Sequence, residues 1–163
     1  MLARGIPPEQ FFHSLLGNAQ SHSLGRQMSA HMSDPGRRIL SLVGPVGNNA
    51  LQSVGVASVV KGQGNGSIVV CSMGDGTSQQ GEVFEAIAEA VRSQLPVLFL
   101  IEDNRYSIST RTVGKDFYSR PHGEAKGVYG IHVHRLYGRD VHSGRCWLAP
   151  ILYSNATGLR AGL

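Results

Sequence analysis

The stretch Ser72 to Gly81 reads Ser-Met-Gly-Asp-Gly-Thr-Ser-Gln-Gln-Gly, so an aspartate stands between two glycines where an apolar run gives way to a helical pattern. In an open α/β sheet, ligands bind at the carboxyl ends of the strands. Gly74 and Gly76 let a backbone come close to a phosphate there, and a following helix turns its N–H groups and positive dipole end toward it. Asp75 would repel such an anion unless a divalent cation lay between them, which implies magnesium or calcium, hard ions that take oxygen ligands. The next apolar run ends at Ile101 and leads into Glu102-Asp103-Asn104-Arg105-Tyr106. If both runs are strands of one βαβ unit, their carboxyl ends share a sheet edge and the Asn104 amide oxygen can meet the cation that Asp75 binds. The backbone carbonyl of Tyr106 is then a candidate third ligand. Taken singly, Asp75 or Asn104 is ordinary turn chemistry; the pair at two neighbouring strand ends carries the argument. The dinucleotide fingerprint fails, because Gln79 stands where its third glycine belongs, and no Walker lysine follows.

These residues need elements to position them. The run Ser67 to Met73 is short, β-branched and without alternation, as an interior parallel strand is, and Val97 to Ile101 is a second such run. Between them, Val83, Ile87 and Val91 fall on one helical face over residues 78 to 93, with Phe84 and Ala88 beside them. Residues 48 to 61 predict a mostly buried helix, and Pro8 and Glu9 ahead of Phe11, Phe12, Leu15 and Leu16 predict a short one ending near Gly17. Residues 18 to 38 have no period and read as a long irregular segment. The expected fold class is therefore α/β, with a parallel sheet flanked by helices.

Composition agrees. The 163 residues include 21 glycines, with 41% hydrophobic and 16% charged residues, which fits one globular domain rich in tight turns. The net charge of +4 is scattered, with no basic helix face, so nucleic acid is not an expected partner. No apolar run reaches membrane-spanning length and no signal-peptide pattern opens the chain, so the expectation is no membrane and the cytoplasm. Cys71 and Cys146 form no CxxC pair, and Cys71, inside an apolar run, reads as a buried thiol. Among seven histidines, His132 and His134 alternate on a strand-like run without a third ligand nearby. His31, in the irregular segment, is the one candidate for a catalytic role.

The wording GDGTSQQGEVFEAIAEAVRSQLPVLFLIEDNRYSIST resembles the alpha subunit of the thiamine-diphosphate-dependent first component of 2-oxo acid dehydrogenase complexes. The resemblance implies the thiamine-diphosphate-binding fold, with Asp75, Asn104 and the Tyr106 carbonyl as ligands of Mg2+. It further implies Gly76 and Thr77 at the diphosphate, beside the Gly74 that the residue pattern already places there. In LVGPVGNNALQSVGVA it implies Gly44 and Val46 at the aminopyrimidine, and a monovalent cation in the loop matched by Val43, Pro45, Asn48 and Asn49. GRQMSAHMS and ISTRT lean toward the branched-chain 2-oxoisovalerate type over the pyruvate type.

The activity implied is oxidative decarboxylation of a 2-oxo acid with acyl transfer to a lipoyl group, the cofactor doing the electronic work. The partners implied are a beta subunit, in a heterotetramer, and the lipoyl acyltransferase component. The resemblance covers residues 1 to 141 as a partial domain, and residues 142 to 163 form a tail unlike the family. The family's Tyr-Arg diphosphate contact falls ahead of Met1, and its activating glutamate belongs to the beta subunit, so the expectation for this fragment alone is a magnesium half-site with weak or no activity. Two alternatives stay open: another thiamine-diphosphate enzyme, such as a transketolase-like half-enzyme, and an inactive fragment.

Overall fold

The computed structural model describes residues 1–29, 31–41, 44–120, 122–124, 127–139 and 146–153. It forms two compact units, Met1–Pro45 and Val46–Leu163.

Among its described residues the first unit holds one α-helix, α1 (Pro8–Leu15), with Pro8 at its first turn and Glu9 beside it, the residues that favour a helix start. Phe12, Leu15 and Leu16 remain exposed, while Ser14 is buried. The irregular segment folds back locally. Asp34 accepts from the backbone N–H of Arg37 at 3.0 Å and bridges to Ile39 around a single 3-10 turn, Pro35–Arg37. Val43 lies outside the described residues.

The second unit carries the sheet. Helix α2 (Asn48–Gln63) leads to strand β1 (Val69–Gly74), then to helix α3 (Gly81–Arg92) and strand β2 (Val97–Glu102). β1 and β2 pair in parallel, from Val69 opposite Val97 to Gly74 opposite Glu102. This is the predicted strand–helix–strand unit. Two short hairpins follow, β3 (Tyr106–Ser107) with β4 (Thr110–Arg111) and β5 (Ser119–Arg120) with β6 (Gly123–Glu124). Strands β7 (Gly127–Val128), β8 (Ile131–Arg139) and β9 (Cys146–Tyr153) complete a five-stranded sheet of order β1-β2-β9-β8-β7. β9 is antiparallel to both β2 and β8, so β8 runs in the direction of β1 and β2, with a strand from the tail inserted between.

Two expectations change in detail. β1 lies at the edge of the described sheet, and its burial alternates: Cys71 and Met73 are buried while Val70 and Ser72 face outward. Helix α2 buries one face, through Ala50, Ser53, Val54 and Ala57 at helical spacing, and leaves Leu51 and Val59 exposed. The core forms where α2 and α3 meet β1 and β2, around Val83, Ile87, Phe99 and Ile101. Each such side chain contributes about 1.5–3 kcal/mol when fully removed from water. Cys71 belongs to this core, and burial pushes its thiol pKa up. Gly47, at the N-terminus of α2, has φ of +94°, and a Cβ there would stand 2.9 Å from Gln80 Cβ. Only glycine fits both the backbone and that approach.

Candidate functional site

The parallel register decides where the site lies. Because Gly74 pairs with Glu102, the chain leaves both strands at the same sheet edge, Asp75 from one and Asp103-Asn104 from the other. A cleft of ≈ 380 Å³ opens there, lined by Ser72 to Thr77 on one side and by Glu102, Asn104, Tyr106, Ser107 and Ile108 on the other. The structure thus brings together six predicted residues: Gly74, Asp75, Gly76, Thr77, Asn104 and Tyr106.

Asp75 is 2% exposed, and two hydroxyls hold it. Thr112 Oγ1 donates to its Oδ2 at 2.5 Å, and Ser78 Oγ donates to its backbone carbonyl at 2.6 Å. The helix expected from residue 78 begins later, at Gly81. Thr77–Gln79 forms a 3-10 turn, closed by the Gln79 and Gln80 N–H groups donating to the Gly76 and Thr77 carbonyls. Across the cleft, Asn104 Oδ1 accepts from the Tyr106 N–H at 2.8 Å, which curls the chain through Arg105 at φ +66° into the β3–β4 hairpin. Gly76 packs against that hairpin. A Cβ on it would lie 2.2 Å from Ser107 Oγ and 2.5 Å from Ser107 Cβ, so the two turns touch because residue 76 has no side chain.

Behind the cleft lies a buried acidic group that sequence reasoning missed. Asp103 and Asp116 are buried like Asp75, and Tyr118 is fully buried beside them. The Arg105 N–H donates to Asp103 Oδ1 at 2.8 Å, yet burial, with the Asp75 carboxylate nearby, raises the Asp103 pKa. Burial chiefly, then the charges of Asp103 and Asp75, push Asp116 up to about 7. The same burial and carboxylates raise the Tyr118 phenol. Phe117 locks this loop down, edge-on to Phe84 of α3 at 5.3 Å and to Tyr118 at 5.2 Å. The available signal was the position of Asp103, next to Asn104 at a strand end; nothing local marked Asp116 or Thr112.

No group of three His, Cys, Asp or Glu side chains among the described residues could hold a metal ion. A cation at this edge would therefore rely on fewer than three such side chains, with amide and carbonyl oxygens beside them. Asp75, Asn104 and Tyr106 all line the cleft, and the two side chains with the Tyr106 carbonyl would form such a set, whose all-oxygen character fits a small hard cation. Gly74 leaves room over it, since a Cβ there would meet nothing nearer than Thr77 Oγ1 at 4.0 Å.

A model of the dehydrogenase E1 component family matches residues 1–142. The chain belongs to that family. Among curated relatives, it is 36% identical over 126 residues to the mitochondrial pyruvate dehydrogenase E1 component subunit alpha of Dictyostelium discoideum, covering 75% of this chain and 33% of the relative. It is 33% identical over 143 residues to the mitochondrial 2-oxoisovalerate dehydrogenase subunit alpha of Caenorhabditis elegans, covering 86% of this chain and 33% of the relative. It is 30% identical over 163 residues to the pyruvate dehydrogenase E1 component subunit alpha of Rickettsia bellii, covering 98% of this chain and 49% of the relative. This E1 chain thus spans between a third and a half of the length of the curated relatives it matches. Both pyruvate and branched-chain members stand among them.

Of the other predicted residues in the second unit, Val46, Asn48 and Asn49 are not among those that line the cleft. Val46 precedes α2 and is exposed. Gly44, Pro45 and His31 belong to the first unit, where His31 Nδ1 donates to the Ser29 carbonyl at 3.0 Å. Asn48 Oδ1 accepts from Gln52 at 2.8 Å, and Asn49 Nδ2 donates to the Ser72 carbonyl at 3.1 Å, which ties the start of α2 to β1. No helix among the described residues is long and apolar enough to cross a membrane.

Proposed function

We propose that this chain is the cofactor-binding part of the alpha subunit of a 2-oxo acid dehydrogenase, and that it holds thiamine diphosphate through Mg2+ in the cleft at the ends of β1 and β2. The observation that carries the reading is the juxtaposition of Asp75 and Asn104 on one sheet edge, in a chain of the E1 family. Asp75, Asn104 and the Tyr106 carbonyl would ligate the ion; Gly74, Gly76 and Thr77 would meet the diphosphate. Gly44 and Val46 would serve the aminopyrimidine, the loop with Val43, Pro45, Asn48 and Asn49 a monovalent cation, and His31 the reacting end.

When bound, the cofactor supplies the carbanion chemistry that removes CO2 from a 2-oxo acid. The chain's own work is positional. The buried Asp75 fixes the charge that anchors the ion, the Asn104 turn presents amide and carbonyl oxygens, and Gly76 keeps the two turns in contact. The partners are a beta subunit, which completes the site in a heterotetramer, and a lipoyl acyltransferase component that accepts the acyl group. Residues 142 to 163 are proposed to lie outside the family domain. The location is that of the complex: the cytoplasm expected from the sequence, or the mitochondrion named for two relatives.

The test is turnover. The full chain is co-expressed with a beta subunit and given thiamine diphosphate, Mg2+ and either 2-oxoisovalerate or pyruvate. CO2 release from one of them, with the branched acid preferred, supports the reading. Turnover of sugar phosphates in place of 2-oxo acids would move the chain to a transketolase-like reaction.

A further inference from the structure

Thr112 lies in a loop, and no cofactor motif in the sequence contains it. Its side chain is 6% exposed, and its hydroxyl donates to Asp75 Oδ2 at 2.5 Å. Its backbone does a second job, since the Thr112 N–H donates to the carbonyl of Arg105 at 3.1 Å. Arg105 is the residue between Asn104 and Tyr106, both of which line the cleft from the other strand. One residue therefore grips both turns at once, the β1 turn by its side chain and the β2 turn by its main chain. The β3–β4 hairpin puts it there, with Tyr106 opposite Arg111 and Ser107 opposite Thr110 bringing residue 112 back beside Arg105. The Thr112 carbonyl is fixed in turn by the Lys115 N–H at 2.8 Å.

We infer that Thr112 is a positioning residue for the metal site: its hydroxyl fixes the Asp75 carboxylate so that the other oxygen faces the cleft, in register with the Asn104 turn. The inference rests on the magnesium-diphosphate reading above. A hydroxyl donor fits this task because it satisfies one carboxylate oxygen without adding a positive charge that would compete with the cation. Partners that orient a ligand in this way typically affect metal affinity 10–100-fold when removed.

The experiment titrates Mn2+ in the presence of thiamine diphosphate into the full chain, with bound metal counted by its paramagnetic resonance signal. Mn2+ stands in for Mg2+ because both prefer octahedral oxygen sites. Thr112→Val, close in shape but without the donor, is expected to weaken Mn2+ binding about 10–100-fold. Thr112→Ser restores the hydroxyl and is expected to bind within about threefold of the wild type, a rescue that a packing role for the methyl group would not give. If Thr112→Val does not fold, Thr112→Cys, whose thiol is a weak donor, is expected to fall between wild type and a site without the bond. Wild-type affinity in Thr112→Val, or in Thr112→Cys, overturns the positioning role while leaving the metal site standing. Absence of Mn2+ binding by the wild type overturns the metal site itself, and the role of Thr112 with it.

Discussion

Replacing Gly76 by alanine should force apart the two turns that build the cleft. The new Cβ would stand 2.2 Å from Ser107 Oγ, 2.5 Å from Ser107 Cβ and 3.5 Å from Ser107 Cα. Carbon atoms in good contact sit at about 3.5–4.0 Å. Rotating the hydroxyl away removes the first clash but not the second, so the β3–β4 hairpin itself must move. Overpacking of this kind costs about 1–3 kcal/mol. The backbone at Gly76 (φ −62°, ψ −39°) suits alanine, and a less flexible unfolded chain returns about 0.4–1 kcal/mol. The net destabilisation is about 1–2 kcal/mol, a fall in Tm of roughly 2–8 °C for a chain of this size. Chemical denaturation of four proteins (wild type, Gly76→Ala, Ser107→Gly and the double variant) isolates the contact. With Ser107 reduced to glycine the obstruction is gone, and Gly76→Ala should become neutral or stabilising by about 0.4–1 kcal/mol. An equal cost of Gly76→Ala in both backgrounds would refute the packing argument.

Asp116 predicts a pH dependence of known sign. Its folded pKa is raised from 3.8 to about 7, so the folded state keeps a proton that the unfolded state has lost. Stability contributed by this group falls as pH rises from about 4 to about 7 and is constant above, and Asp116→Asn should remove that part of the slope. The comparison is denaturant midpoints across this range, and parallel curves for the two proteins would count against the buried cluster with Asp103 and Asp75. Gly47→Ala should cost about 2–3 kcal/mol, from the left-handed backbone and the approach to Gln80. A change below about 0.5 kcal/mol in its unfolding free energy would contradict that.

The strand–helix–strand unit was legible because its signals are local: β-branched runs for β1 and β2, and a helical stripe through Val83 and Ile87 for α3. That also made the joint placement of Asp75 and Asn104 legible, since parallel pairing puts both strand ends on one edge. The burial of α2 was overstated, because small residues such as Ala50 and Ala57 mark close packing on one face, while Leu51 and Val59 face outward. The segment from 105 to 130 was not legible. Its strands are two residues long and are set by turns at positive φ, among them Arg105, Ile108 and Tyr129, which leave no periodic pattern. Thr112 and Asp116 looked like ordinary loop residues, and only tertiary burial groups them with Asp103. β9 was missed because its pairing with β2 and β8 is long-range, and no signal within residues 146 to 153 names those partners.

The central claim is that Asp75 and Asn104 hold a magnesium-bound diphosphate. Calorimetric titration of thiamine diphosphate into the full chain, with Mg2+ and again with the metal chelated, tests it most directly. The account predicts heat of binding with Mg2+, none after chelation, and none for Asp75→Ala even with Mg2+. Equal binding with and without the metal, or unchanged binding by Asp75→Ala, would contradict it.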